Sequence, residues 1–129
     1  MKVTIINYGA GNVANVQNAF DKIGIDTSIS TSENEWKAVD ALVLPGVGAF
    51  GAAMNKLEQK ASTIRMLIEQ GKPFLGICLG MQLLLENSEE SADALGLGMF
   101  KGKAKRFRTR LPVPQIGWNL VKPIKQSPL

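Results

Sequence analysis

The stretch Lys72-Pro73-Phe74-Leu75-Gly76-Ile77-Cys78-Leu79-Gly80-Met81-Gln82-Leu83-Leu84-Leu85 constrains this chain more than any other. A short apolar run enters a corner of small residues, and an apolar, helix-compatible segment leaves it. That is the layout of a nucleophile elbow with a thiol in place of the hydroxyl. Gly76 and Gly80 flank Cys78 by two residues on each side, which lets neighbouring backbone approach a strained strand-to-helix turn. The sulfur is then expected at a sheet end and a helix N-terminus, where free N–H groups and the helix dipole favour negative charge. A cysteine-nucleophile enzyme, or a piece of one, follows.

The rest of the composition bears on that nucleophile. The 129 residues hold one cysteine and no histidine. Histidine is the usual base for a thiol, so no imidazole among these residues assists Cys78. A single cysteine excludes an internal disulfide and a multi-cysteine metal site, and it fits a reducing compartment. No apolar run approaches the roughly 18 residues of a membrane span, and the N-terminus lacks the apolar core of a signal peptide. A single-domain cytoplasmic chain is the expectation.

Lys2 to Tyr8 is β-branched and apolar and stops at Gly9-Ala10-Gly11-Asn12, which predicts a first strand and a turn. Val13, Val16, Phe20 and Ile23 recur at helical spacing, with Asn12 as N-cap, Asn15 on the flank of the stripe and Gly24 closing the run. Gly9-x-Gly11 lacks the third glycine of a dinucleotide fingerprint, so a plain turn is preferred to a phosphate loop. Asp26 to Thr31 reads as a second strand. Ser32-Glu33-Asn34-Glu35 has the form of a capping box that starts a brief helix, in which Trp36 serves packing.

Asp40-Ala41-Leu42-Val43-Leu44 reads as a buried third strand ending in Pro45-Gly46-Val47-Gly48. Two glycines around one residue allow N–H groups to turn toward a ligand, although a plain strand-to-helix loop explains the segment when it is taken alone. Met54, Leu57, Ala61, Ile64 and Ile68 carry one long or two short helices up to Gly71. Strand, elbow and helix then occupy 73 to 87. Such alternation predicts an α/β fold, a mostly parallel sheet flanked by helices, with ligands collecting at the C-terminal strand ends. Pro45-Gly46-Val47-Gly48 and Cys78 both lie at such ends.

Glu86 to Glu90 forms an acidic exit from that helix, either a solvated face or a holder of a substrate ammonium, and the residues alone slightly favour the solvated face. Leu95 to Gly98 is a loop. Lys101, Lys103, Lys105, Arg106, Arg108 and Arg110 alternate partially, as in an exposed edge strand whose lysines discourage aggregation. Only Phe107 interleaves as an aromatic, which argues against nucleic acid. Leu111 to Val121 adds a turn and a further strand, and Pro123 and Pro128 mark loop.

Four patches together resemble the class I glutamine amidotransferase family: Asn7 to Asn15, Leu44-Pro45-Gly46-Val47-Gly48-Ala49-Phe50, Gly76 to Gln82, and Ile116-Gly117-Trp118-Asn119. The third is specific to the class. The set in this order is similar to the branch formed by the glutaminase subunits of imidazole glycerol phosphate synthases. The resemblance implies a flavodoxin-like fold and Cys78 as the nucleophile that attacks the side-chain amide of glutamine. It implies an oxyanion hole from the backbone of Leu79 and of Gly46 and Val47, and Gln82 and Glu90 as holders of the substrate's polar end. It also implies that Asn12, Asn15 and Trp118 face a cyclase partner that receives ammonia. No cofactor, metal, nucleic acid or membrane enters.

The family completes its triad with a His-x-Glu motif that falls beyond these residues. The resemblance therefore implies an incomplete, N-terminal portion of an amidotransferase domain, truncated before its last strands and inactive alone. The alternatives are a non-catalytic amidotransferase serving as a binding module and another cysteine hydrolase on a similar sheet. Gln82 and the Pro-Gly-Val-Gly loop fit glutamine chemistry better than the latter.

Overall fold

A computed structural model describes residues 1 to 126. The β-branched run after Lys2 forms strand β1 (Val3–Ile6), and the amphipathic stretch after Asn12 forms helix α1 (Val13–Lys22). Then come β2 (Thr27–Ser30), α2 (Glu33–Ala38), β3 (Ala41–Leu44), α3 (Phe50–Leu57), a single 3-10 turn (Glu58–Lys60), α4 (Ala61–Glu69) and β4 (Phe74–Gly76). The helical stretch before Gly71 is thus two short helices. The four strands form one parallel sheet in the order β2-β1-β3-β4. This order begins the flavodoxin-like pattern, in which the order of the strands reverses between β1 and β3 and opens a crevice at their C-terminal ends.

Alternation along each strand divides the core. Val3, Ile5 and Val43 pack toward Val13, Val16 and Phe20 of α1 on one face. Ile6, Leu42 and Leu44 turn to the other, where Trp36, Phe50, Leu57 and Ile64 come from α2, α3 and α4, and Leu83 from α5 (Leu79–Leu83). Trp36 is fully buried and its indole N–H donates to the Ser30 carbonyl at 3.2 Å, so it does serve packing. Asn12 caps α1 as expected, accepting from the Asn15 N–H at 3.1 Å. Gly24 follows the helix with φ +74, a left-handed position suited to glycine. The Ser32 side chain makes no cap bond to α2, so the capping box does not form. The Ser32 N–H, which Glu35 would take in such a box, donates to Ser30 Oγ at 2.9 Å, and Glu33 accepts from the Thr63 hydroxyl on α4.

Beyond Cys78 the structure departs from the sequence reading. Helix α5 covers only Leu79–Leu83, and the chain re-forms as β5 (Leu85–Ser88), β6 (Ser91–Leu95) and β7 (Phe100–Ala104) in a second sheet of order β6-β5-β7. The helix stops because distant N–H groups take its carbonyls. Leu97 N–H donates to Leu83 O at 2.7 Å, and Met99 N–H to Leu84 O at 2.9 Å. The acidic residues therefore sit on a strand and a turn rather than at a helix exit. The basic stretch does supply an edge strand in β7, but only as far as Ala104. The strand expected over 111–121 is absent among the described residues. That segment is irregular and exposed, as is Pro123, and no described strand offers it a ladder. Pro128 lies outside the described residues.

Candidate active site

The elbow is built from backbone. Cys78 has φ 56 and ψ −119 and is the one non-glycine residue with positive φ among those described. An L-residue holds such a conformation only where its surroundings enforce it, at a cost of about 1–3 kcal/mol. The enforcement comes from Ile77, whose N–H donates to Leu44 O at 3.0 Å, and from Gly80 and Met81, whose N–H groups turn back to Ile77 and Cys78. The flanking glycines are needed for space. A Cβ on Gly76 would stand 2.7 Å from Met81 Cα, and one on Gly80 would collide with the Leu44 carbonyl. Cys78 is left exposed at the C-terminal end of β4, directly before α5.

The Pro45–Gly48 loop lies against this corner. A Cβ on Gly46 would stand 2.6 Å from Gly80 N and 2.8 Å from Leu79 Cβ, so only glycine permits the approach. The loop is tied at its start by the buried Tyr8 hydroxyl, which donates to Pro45 O at 3.0 Å. Burial pushes the Tyr8 hydroxyl up to about 12, so it stays neutral and keeps its proton for this bond. Gly48, at φ +93, turns the chain into α3. Leu79 occupies the first position of α5, where an N–H has no intrahelical acceptor.

Cys78 borders two clefts. One, of about 610 Å³, is shared by Val47, Leu79, Gln82, Glu90, Arg106 and further residues of 104–114. The other, of about 310 Å³ and almost wholly apolar, lies behind the loop and is lined by Asn12, Asn15, Val16, Phe20, Val47 and Ile77 among others. The structure thus gathers Cys78, Leu79, Val47, Gln82 and Glu90 around one cavity, with Gly46, Asn12 and Asn15 on the far side of the sulfur. Trp118 joins neither, and it is fully exposed in the irregular segment.

Residues 4–120 match the family profile of glutamine amidotransferase class-I. The chain belongs to the class I glutamine amidotransferases. It is similar to the imidazole glycerol phosphate synthase subunit HisH of Symbiobacterium thermophilum, 44% identical over 99% of this chain and 61% of that protein. The subunit of the same name from Methanothermobacter thermautotrophicus is 47% identical over 98% of this chain and 64% of its own length. The chain therefore spans about three-fifths of the length of these relatives. A crystal structure of a glutamine amidotransferase superposes with a TM-score of 0.68 over 80% of this chain and 56% of its own, at 18% identity, and so shares the fold.

In this amidotransferase chain three features escaped the sequence reading. Tyr8 ends an apolar strand, and the only hint of its anchoring role is that a buried phenol needs a partner. Glu90 borders the cleft as the family likeness implies, but its Oε2 also accepts from the Phe50 N–H at 3.0 Å. Ser91 Oγ accepts from the Gly51 N–H at 3.1 Å. Neither contact carries a sequence signal, since the partners lie 40 residues apart.

Proposed function

We propose that this chain supplies the nucleophile and oxyanion hole of the glutaminase of an imidazole glycerol phosphate synthase, releasing ammonia for a cyclase subunit in histidine biosynthesis. The observation that carries the reading is the enforced positive φ of Cys78 beside the Gly46–Gly48 loop. Backbone strain of this kind persists where it serves a site. The likeness to two subunits at 44 and 47% identity supports the choice of substrate.

The Cys78 thiolate adds to the side-chain amide carbon of glutamine, and the carbonyl electrons move onto oxygen. The N–H of Leu79 and one from Gly46 or Val47 hold that oxyanion without side chains. Collapse breaks the C–N bond, and ammonia leaves carrying a transferred proton. Water then attacks the thioester, giving glutamate and the free thiol. Gln82 and Glu90 hold the substrate's polar end, while Asn12, Asn15 and Trp118 face the cyclase. Both proton transfers need an acid–base group, and these 129 residues contain no histidine. That group comes from outside them, in the family's His-x-Glu motif. No cofactor is required, and the setting is the cytoplasm.

The test is glutamate release by the gene product with its cyclase, which Cys78→Ala should abolish. The 129 residues alone should turn over negligibly, since removing one triad member costs roughly 10⁴–10⁶ in rate. Release by them near the rate of an intact triad enzyme would sink this assignment. A second reading, which the 129 residues taken alone permit because they hold no histidine, is a non-catalytic module that binds the cyclase. That reading stands if the gene product binds cyclase and Cys78→Ala changes no activity.

A further inference from the structure

Helix α3 starts immediately after the loop that carries the oxyanion donors, and it cannot cap itself. Its N-cap residue is Ala49, which has no side-chain acceptor. The first N–H groups of a helix still need partners, and Phe50 is fully buried, so water does not serve it. The β5–β6 turn and the first residue of β6 provide the acceptors, Glu90 Oε2 for the Phe50 N–H and Ser91 Oγ for the Gly51 N–H. The turn itself is braced where the Glu90 N–H donates to Ser88 Oγ at 3.2 Å.

The two elements also pack without slack. A Cβ on Gly51 would stand 3.0 Å from Ser91 Oγ and 3.2 Å from Ser91 Cβ. Glu90 borders the cleft, so its carboxylate serves two masters. Ser91 has no such competing duty.

We propose that Ser91 is a positioning residue for the Pro45–Gly48 loop. Its hydroxyl fixes the first turn of α3, and through that turn it sets where the Gly46 and Val47 N–H groups stand relative to Cys78. The inference rests on the amidotransferase reading above. Losing an oxyanion donor outright costs about 10²–10³ in kcat, and a donor left in place but loosened should cost less, on the order of tenfold.

The experiment uses the gene product assembled with its cyclase. Ser91→Ala should lower kcat about tenfold with KM nearly unchanged, as expected when only transition-state binding is lost. Ser91→Thr, which keeps the hydroxyl, should restore it. Gly51→Ala presses on the same contact from the other side, so the double variant should lose less than the product of the two single losses. Alkylation of Cys78 by iodoacetamide needs no oxyanion hole and should be unchanged in Ser91→Ala.

Wild-type kcat in Ser91→Ala, or a parallel fall in kcat and alkylation, overturns the proposal. Amide hydrogen exchange at Val47 to Gly51 should quicken in Ser91→Ala, and unchanged exchange also overturns it. If wild-type protein releases no glutamate, the glutaminase assignment fails, and the exchange measurement still decides the role of Ser91.

Discussion

The Tyr8 hydroxyl donates to the Pro45 carbonyl at 3.0 Å, joining the segment just after β1 to the loop that leaves β3 across the point where the strand order reverses. Both residues are buried, and the bond holds the root of the Pro45–Gly48 loop. Tyr8→Phe keeps the ring's packing and orphans the carbonyl. The expected loss is about 1–3 kcal/mol. Urea unfolding should show a lower midpoint with an unchanged slope. An unchanged midpoint would remove Tyr8 from the account of how the loop is held.

Alkaline pH offers a second view of this bond. The folded state keeps the phenol protonated to about 12, whereas in the unfolded chain it ionises near 10.0. Between those values the unfolded chain has released a proton that the native state retains. Stability intact below pH 10 is therefore lost as pH rises toward 12. The chain has one tyrosine, so tyrosinate absorbance reports on it alone. The native midpoint should lie about 2 units above that in denaturant, and coincident midpoints would contradict the buried placement.

Cys78 sits where glycine is comfortable. Cys78→Gly relieves about 1–3 kcal/mol of backbone strain and adds roughly 0.5–1 kcal/mol of unfolded-state freedom. It should unfold later than Cys78→Ala, which retains the strain, by on the order of 1 kcal/mol. Neither variant should turn over glutamine. Equal thermal midpoints for the pair would mean that the corner stores no strain.

Phe107, Leu111, Ile116, Trp118, Leu120, Val121 and Ile124 are each 74 to 104% exposed in the irregular segment. A preparation of these 129 residues alone should therefore associate as concentration rises, because so many exposed apolar side chains along one segment seek cover. Sedimentation velocity would show it, and a concentration-independent monomer would refute it. Trp118 provides an optical readout beside the buried Trp36. Its emission should shift to the blue if the proposed cyclase partner covers it.

Legibility followed the range of the forces. Val3–Ile6, Ala41–Leu44, the Asn12 cap and the glycine-flanked Cys78 were readable because alternation, capping and tight corners are written within a few residues. The end of α5 was not readable. Leu83-Leu84-Leu85 suits a helix, and its carbonyls are claimed by N–H groups of Leu97, Met99 and Phe100 more than ten residues away. The strand read over 111–121 failed for the converse reason. Its residues favour extension, but a strand needs a neighbour, and local sequence names none. The capping box on α2 failed because Ser30 Oγ already takes the Ser32 N–H that Glu35 would have accepted.

The glycine contact between Gly46 and Gly80 closes a circuit. From Cys78 the chain runs through α5 and β5 to Ser91, crosses by a hydrogen bond to Gly51, returns along the start of α3 to Gly46, and meets Gly80 beside the sulfur again. Mechanically this is a closed linkage, in which no joint turns without moving the others. A one-residue insertion in the β5–β6 turn would reach the sulfur from both directions, along the chain and across the loop. Tolerance to changes of chain length should therefore be lower in that turn than its exposed surface suggests.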